Sequence, residues 1–164
     1  MISFGFILLI VGCNTEQRGE TDTDKTYENS GKDTLSSVVY NPQDALWSYV
    51  YNQQNEEFEV KQVRSVNSDT LTGESLEKII NNNWPRIQIQ FFGFSNDTVF
   101  ILIPNSNVLT QQMGSAGAES FMVTTTYTFT ELSGIDYVSF DFEEGDHGVP
   151  GVYHRGSWEK DKEH

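Results

Sequence analysis

The sequence has a single cysteine, Cys13, in 164 residues. No intrachain disulfide is open to it, and a structural zinc site built on several Cys ligands is excluded. Basic residues are scarce: ten Lys and Arg stand against 24 Asp and Glu, giving a net charge of −14. A surface of that sign repels phosphate, so the footprint of a nucleic-acid binder is missing. A basic patch for anionic lipid headgroups is missing for the same reason. The apolar run Phe4–Val11 is far shorter than the roughly 20 residues that a bilayer-spanning helix needs. Enzyme signatures are absent too. There is no GxxxxGK[ST] loop and no HExxH pair. Met113-Gly114-Ser115-Ala116-Gly117 misses the nucleophile-elbow spacing because its first glycine is displaced by one position. No cofactor and no catalytic residue are expected.

What is present starts with residues 1–12, which suit a signal peptide with Phe4–Val11 as its apolar region. Ile10-Val11-Gly12-Cys13 resembles a bacterial lipobox, with a branched apolar residue, a second apolar residue, a small residue and then the thiol. The resemblance implies cleavage after Gly12 and acylation of Cys13, for instance with palmitate. The protein would then be lipid-anchored to a membrane of the bacterial cell envelope. No Lys or Arg precedes the apolar run. Residues 13–37 read as a flexible tether: from Asn14 to Ser37 they are polar, and such a stretch cannot bury enough surface to offset its ordering entropy. A coil of that length reaches on the order of 25–30 Å.

Residues 38–158 form the expected single α+β domain, followed by a disordered tail over 159–164. Asn41-Pro42 predicts a helix start, with Ala45, Leu46, Tyr49 and Val50 at helical spacing. The alternation from Phe58 to Val66 predicts a strand. Thr72 can cap a helix whose apolar stripe is Leu76, Ile79 and Ile80. Arg86–Phe91 alternates cleanly, with Ile87, Ile89 and Phe91 on one face. Thr98–Ile103 is nearly all apolar, which predicts a central strand paired with the preceding one as a hairpin.

The next stretch predicts a long helix with Met113, Ala116, Gly117, Ser120, Val123, Thr124 and Tyr127 along one face. The Thr124–Thr130 segment is β-branched and aromatic, and local propensity alone favours a strand there. Helix is preferred, because the segment continues a helical pattern and Gly134 follows as a C′ residue. Ile135–Phe142 is then a strand with Tyr137 facing away from Val138, Phe140 and Phe142. The strand–helix–hairpin–helix–strand body, with Thr128-Phe129-Thr130-Glu131, Gly134-Ile135 and Val138, resembles the GerMN domain of envelope lipoproteins across roughly residues 58–145. The resemblance implies a ring-building-motif-like α+β fold, a four-stranded mixed or antiparallel sheet with two or three helices on one face. It implies no enzyme activity and offers no catalytic residue. Its departures here are the single copy and the ending after Glu144.

That ending carries the chemistry that packing does not require. Asp141, Glu143, Glu144 and Asp146 bring carboxylates close together in sequence, and are weak candidates for a divalent metal such as calcium. Asp146, His147, Tyr153, His154 and Arg155 are candidate contacts for a ligand or partner in the turn-rich loop 145–157. The leading expectation is a non-catalytic, membrane-anchored module that meets an envelope protein or another copy of itself, with membrane contact through lipid on Cys13. The alternative is a small ligand- or metal-binding protein, or an enzyme, using loop 141–155.

Overall fold

A computed structural model describes residues 40–159. The expected signal peptide (1–12) and the expected tether (13–37), with Cys13, lie outside the described residues, as does the expected tail from 160 onward. Among the described residues no helix is long and apolar enough to cross a membrane.

Asn41 caps only a 3₁₀ turn, Pro42–Asp44, its side chain accepting from Gln43 N at 3.2 Å. The expected helix does not continue from it. Trp47–Asn52 is a strand, β1, paired antiparallel with β2, Glu57–Gln62. Trp47, Tyr49, Val50 and Tyr51 are aromatic or β-branched and suit a pleated surface. Phe58 stacks on Tyr49 at 5.0 Å and meets Tyr51 edge-on at 5.3 Å. Helical spacing of the apolar residues was therefore outweighed by cross-strand aromatic pairing.

Helix α1 spans Gly73–Asn83. Thr72 caps it as expected, in a reciprocal box: Ser75 N donates to Thr72 Oγ1 at 3.2 Å, and Thr72 N donates to Ser75 Oγ at 3.0 Å. Leu76 and Ile80 are buried and Ile79 is half-buried. Ile87 and Ile89 are buried as the alternation predicts, but the strand starts later, at Gln90. Side chains of α1 hold the intervening backbone instead of a neighbouring strand: Ile89 N donates to Asn81 Oδ1 at 2.7 Å and Phe91 N to Glu77 Oε2 at 3.0 Å.

Strands β3 (Gln90–Ser95) and β4 (Thr98–Leu102) make the expected antiparallel hairpin, turned at Asn96 with φ 55°. A π-helical turn, Val108–Gln112, leads into α2, Gly114–Phe129. Strand β5, Tyr137–Asp141, returns parallel to β4, and β6, Gly151–His154, pairs antiparallel with β5. The sheet order is β3-β4-β5-β6. A four-stranded mixed sheet is present, but its fourth member is β6, inside the segment expected to be loop. The strand expected from Phe58 onward pairs locally with β1 in a separate two-stranded sheet. A short turn makes that closure cheap in entropy.

The Thr-rich segment is helical. Its hydroxyls make this tolerable by bonding back one turn: Thr124 Oγ1 to Ser120 O at 2.7 Å, Thr126 Oγ1 to Met122 O at 2.8 Å and Thr130 Oγ1 to Thr126 O at 2.9 Å. The expected core face is displaced. Ala116 is exposed, and Met113, Gly117, Ser120 and Tyr127 are only half-buried. Ala118, Phe121, Met122 and Phe129 meet the main core instead. From Phe121 to Thr126 every residue is buried, because the sheet packs on one side of α2 and β1 on another. Gly134 is not the C′ residue. Thr130 caps the helix, and Gly134, at φ 78°, turns the chain four residues later.

Val99, Ile101, Val138 and Phe140 project from the sheet toward Leu76, Ile80, Phe121 and Phe129. The helices thus cover one sheet face. The order strand–helix–hairpin–helix–strand is present as β2–α1–β3–β4–α2–β5.

Candidate functional site

The residues picked out in loop 141–155 are separated by the fold. Asp141 ends β5 and pairs in register with Leu102, on the face away from the helices. Phe142 turns inward and is buried, and Glu143 and Glu144 are exposed. Glu143 contributes its carbonyl, which accepts from Ser106 Oγ at 2.8 Å. Among the described residues no three His, Cys, Asp or Glu side chains converge to hold a metal ion. Alternation along β5 and the tight turn after it send the four carboxylates different ways.

Asp146 and His147 sit on a turn closed by Gly145 N donating to Gly148 O at 3.1 Å. The turn is fastened to the π-helical segment. His147 N donates to Thr110 O at 3.1 Å. The Gln111 amide, oriented to match donors with acceptors, bonds Asp146 Oδ2 at 3.2 Å and Asp146 N at 3.3 Å. Gly145 is obligatory for this fit, since a Cβ there would lie 2.6 Å from Thr110 Cβ.

This turn brings His147 to the start of α2. Ser115 Oγ lies 3.1 Å from His147 Nδ1. Gly114, at φ 72°, sets Ser115 on the first turn, and Met113 provides no side-chain cap there. Ser115, Glu119, Asp146, His147, Tyr153 and Trp158 border a shallow depression of about 340 Å³. Tyr153 is a wall rather than a reagent. Its hydroxyl donates to Val149 O at 2.8 Å, its ring stacks on Trp158 at 5.1 Å, and burial raises its pKa.

His154 and Arg155 face a second depression, of about 410 Å³, with Thr130, Asp136 and Tyr137. Arg155 is occupied there. Its guanidinium donates to Thr130 Oγ1 at 2.8 Å, Tyr127 O at 3.2 Å and Glu131 Oε1 at 2.6 Å. It also lies over the rings of Trp47 and Tyr127, at 5.0 and 4.9 Å. Trp47 Nε1 donates to the same Glu131 oxygen at 3.1 Å. This is a clamp between the end of the domain, α2 and the β1–β2 hairpin. The five candidate contacts therefore divide, with Asp146, His147 and Tyr153 in one place and His154 and Arg155 in another.

Ser115, named from the sequence only in the rejected nucleophile-elbow match, and Glu119, not singled out there, join the first group. The Ser115–His147 approach, and the place of Glu119 beside it, are tertiary, and no spacing rule encodes them. A second missed feature is larger. The sheet face away from the helices exposes Phe92 (69 %), Val152 (59 %), Phe100 (43 %) and Tyr137 (37 %). The signal for it was the nearly continuous apolar run in β4. A strand that is apolar on both faces, in a sheet covered on one, leaves apolar surface open. A further cleft, about 530 Å³ between Leu71, Phe91, Phe94, Leu132 and Ile135, includes no residue of loop 141–155.

No family model, no curated protein and no solved structure matches the chain.

Proposed function

We propose that this protein is a non-catalytic assembly module of the bacterial cell envelope, held at a membrane by lipid on Cys13 and presenting its folded domain to a protein partner. The observation that carries the reading is the open sheet face, where Phe92, Phe100, Tyr137 and Val152 stand together in solvent. Scattered exposed apolar residues are ordinary, but a contiguous set on one sheet face marks an interaction surface. The β2–α1–β3–β4–α2–β5 order supports the GerMN resemblance, and with it a packing role rather than a chemical one. The lipobox-like Ile10-Val11-Gly12-Cys13 supports the anchor.

The test is affinity capture of the lipidated protein from its own envelope, beside a Phe92→Ser/Phe100→Ser variant. A partner captured by the parent and lost from the variant, with melting unchanged, is the expected result. A protein that is solitary in crosslinked native envelopes refutes the reading. Cys13→Ala should move the protein to the aqueous fraction, and retention in the membrane would remove the anchor.

A second reading comes from the Ser115–His147 hydrogen bond, which is the geometry of a serine nucleophile beside a base. Against it, among the described residues no carboxylate hydrogen-bonds the His147 ring to orient it. A fluorophosphonate probe decides the point. Attack would form an Oγ–phosphorus bond, expel fluoride and pass the hydroxyl proton to His147 Nδ1. Labelling that Ser115→Ala and His147→Ala both abolish would establish the nucleophile, and absence of labelling would dismiss it.

A further inference from the structure

The open sheet face has a definite relief. Gly93, Phe100, Ser139 and Val152 form one cross-strand row. Phe100 therefore has a glycine on one side and a serine on the other, and neither can cover its ring. Phe92 is the extra residue of a β-bulge between Phe91 and Gly93. The bulge sends Phe92 to the same face as Phe100, while Phe91 stays on the helix side opposite Ile101. Gly93 adopts φ 133°, a backbone region that favours glycine, so the bulge itself keeps this place free of a side chain. Asp141 stands one strand over from Phe100 and two residues along, opposite Leu102. Phe92, Phe100, Leu102, Ser139 and Asp141 line a depression of about 310 Å³.

Two aromatic rings and one carboxylate around a hollow is an arrangement the chain already fills elsewhere. Arg155 lies over Trp47 and Tyr127 and pairs with Glu131. The same three groups recur on the open face without a cation. The described residues carry five Lys and Arg side chains, Lys61, Arg64, Lys78, Arg86 and Arg155. None of these lies on this face, where the one imidazole, His154, packs edge-on against Tyr137 at 5.5 Å. Lys61, Arg64 and Arg155 already pair with acids. A second copy would set two such faces, each with its own Asp141, against one another within a chain of net charge −14.

We propose that the open sheet face docks a partner protein through a segment that sets apolar side chains against Phe92, Phe100 and Val152 and inserts an arginine or lysine into the hollow beside Asp141. This rests on the reading of the face as an interface, and names the chemistry of what binds there. The aromatic faces attract the cation through their quadrupoles, and Asp141 supplies the counter-charge. Apolar contact supplies affinity, and Asp141 selects the partner.

The experiment has two arms, each on the full-length protein. In the first, the peptide acetyl-Leu-Arg-Leu-amide is titrated while amide resonances of the sheet are followed by NMR, with acetyl-Leu-citrulline-Leu-amide as the uncharged counterpart. Shifts centred on Phe92, Phe100 and Asp141 are expected with the arginine peptide. Asp141→Asn should weaken its binding roughly two- to five-fold, as loss of a partly screened ion pair does. Equal response to both peptides, or indifference to Asp141→Asn, overturns the cation site. In the second arm, a photocrosslinker replaces Val152 in cells and the adduct is mapped by mass spectrometry. An adduct on a basic partner segment, reduced several-fold by Asp141→Asn, supports the proposal. A partner adduct insensitive to Asp141→Asn overturns the cation site and leaves the interface standing. An adduct on a second copy or on residues 14–37 of the same chain overturns the partner assignment. No adduct at all overturns the interface and, with it, the proposed function.

Discussion

Replacing Arg155 by alanine removes five contacts made by one guanidinium: hydrogen bonds to Thr130 Oγ1 and Tyr127 O, an ion pair with Glu131, and the faces of Trp47 and Tyr127. The Arg155 side chain is 39 % exposed and that of Glu131 18 %. Solvent screening therefore limits the ion pair to about 1 kcal/mol or less. Each partly exposed ring contact contributes about 0.5–1 kcal/mol, and each hydrogen bond about 1 kcal/mol. The contacts share one group and do not add, so the expected loss is about 2–3 kcal/mol. For a domain of this size that lowers Tm by roughly 6–15 °C. Denaturant unfolding followed by tryptophan fluorescence reads it directly, since Trp47 lies under the Arg155 guanidinium and donates to Glu131. Hydrogen exchange should show the β1–β2 hairpin opening first, because Arg155 and Glu131 tie Trp47 to α2. Arg155→Lys keeps the charge but not the planar fork, and should recover less than half of the loss. A loss below about 0.5 kcal/mol for Arg155→Ala, a value usual for ordinary surface positions, would refute the clamp. Full recovery by lysine would refute the role of the fork.

Three further changes probe other parts of the fold. Thr125 is fully buried and its hydroxyl has no partner among the described residues, so Thr125→Val should stabilise the protein by about 1 kcal/mol in thermal unfolding; destabilisation would mean that the hydroxyl is satisfied. Gly73→Ala places a Cβ against the Phe91 ring, so it should cost about 1–3 kcal/mol despite alanine's helix propensity, with Phe91→Leu restoring part of the loss. The Glu59 carboxyl is held down to about 2, first by the hydrogen bond to Lys61 and then by those to Asn52 and Asn55. A depressed carboxyl contributes stability that is complete above its ordinary value of 4.5 and is lost as pH falls through the folded value. The Tm gap between the parent and Glu59→Gln should thus hold steady above about pH 5 and close toward pH 2, whereas a gap independent of pH would refute the assignment.

Local signals were legible where one side chain decides one backbone event. Thr72 caps α1, Asn41 caps its turn, and β4, β5 and α2 lie where their patterns place them. The helix over Thr124–Thr130 followed from continuity of the pattern against local propensity, and the i−4 hydroxyl bonds supply the reason. The errors share a cause. Tyr49 and Val50 fit a helix spacing as well as a strand, and only Phe58 across the hairpin decides between them. The core face of α2 was misjudged because a helix enclosed on several sides has no single apolar stripe to read. The short strand β6 was hidden among glycines, since pairing with β5 rather than composition makes it a strand.

By itself the sequence determined the absence of an intrachain disulfide, the acidic surface, the α+β class and the positions of most elements. These follow from counts and from residues within one or two turns of each other. Tertiary structure alone decided that β2 leaves the main sheet and β6 joins it, because strand pairing depends on which partner is nearest in space. It decided that Arg155 is a clamp, that Ser115 meets His147, and that Asp146 and His154 part company. It also decided that Phe92, Phe100 and Asp141 share one hollow on an uncovered face, through a bulge and a parallel register that bring distant residues side by side.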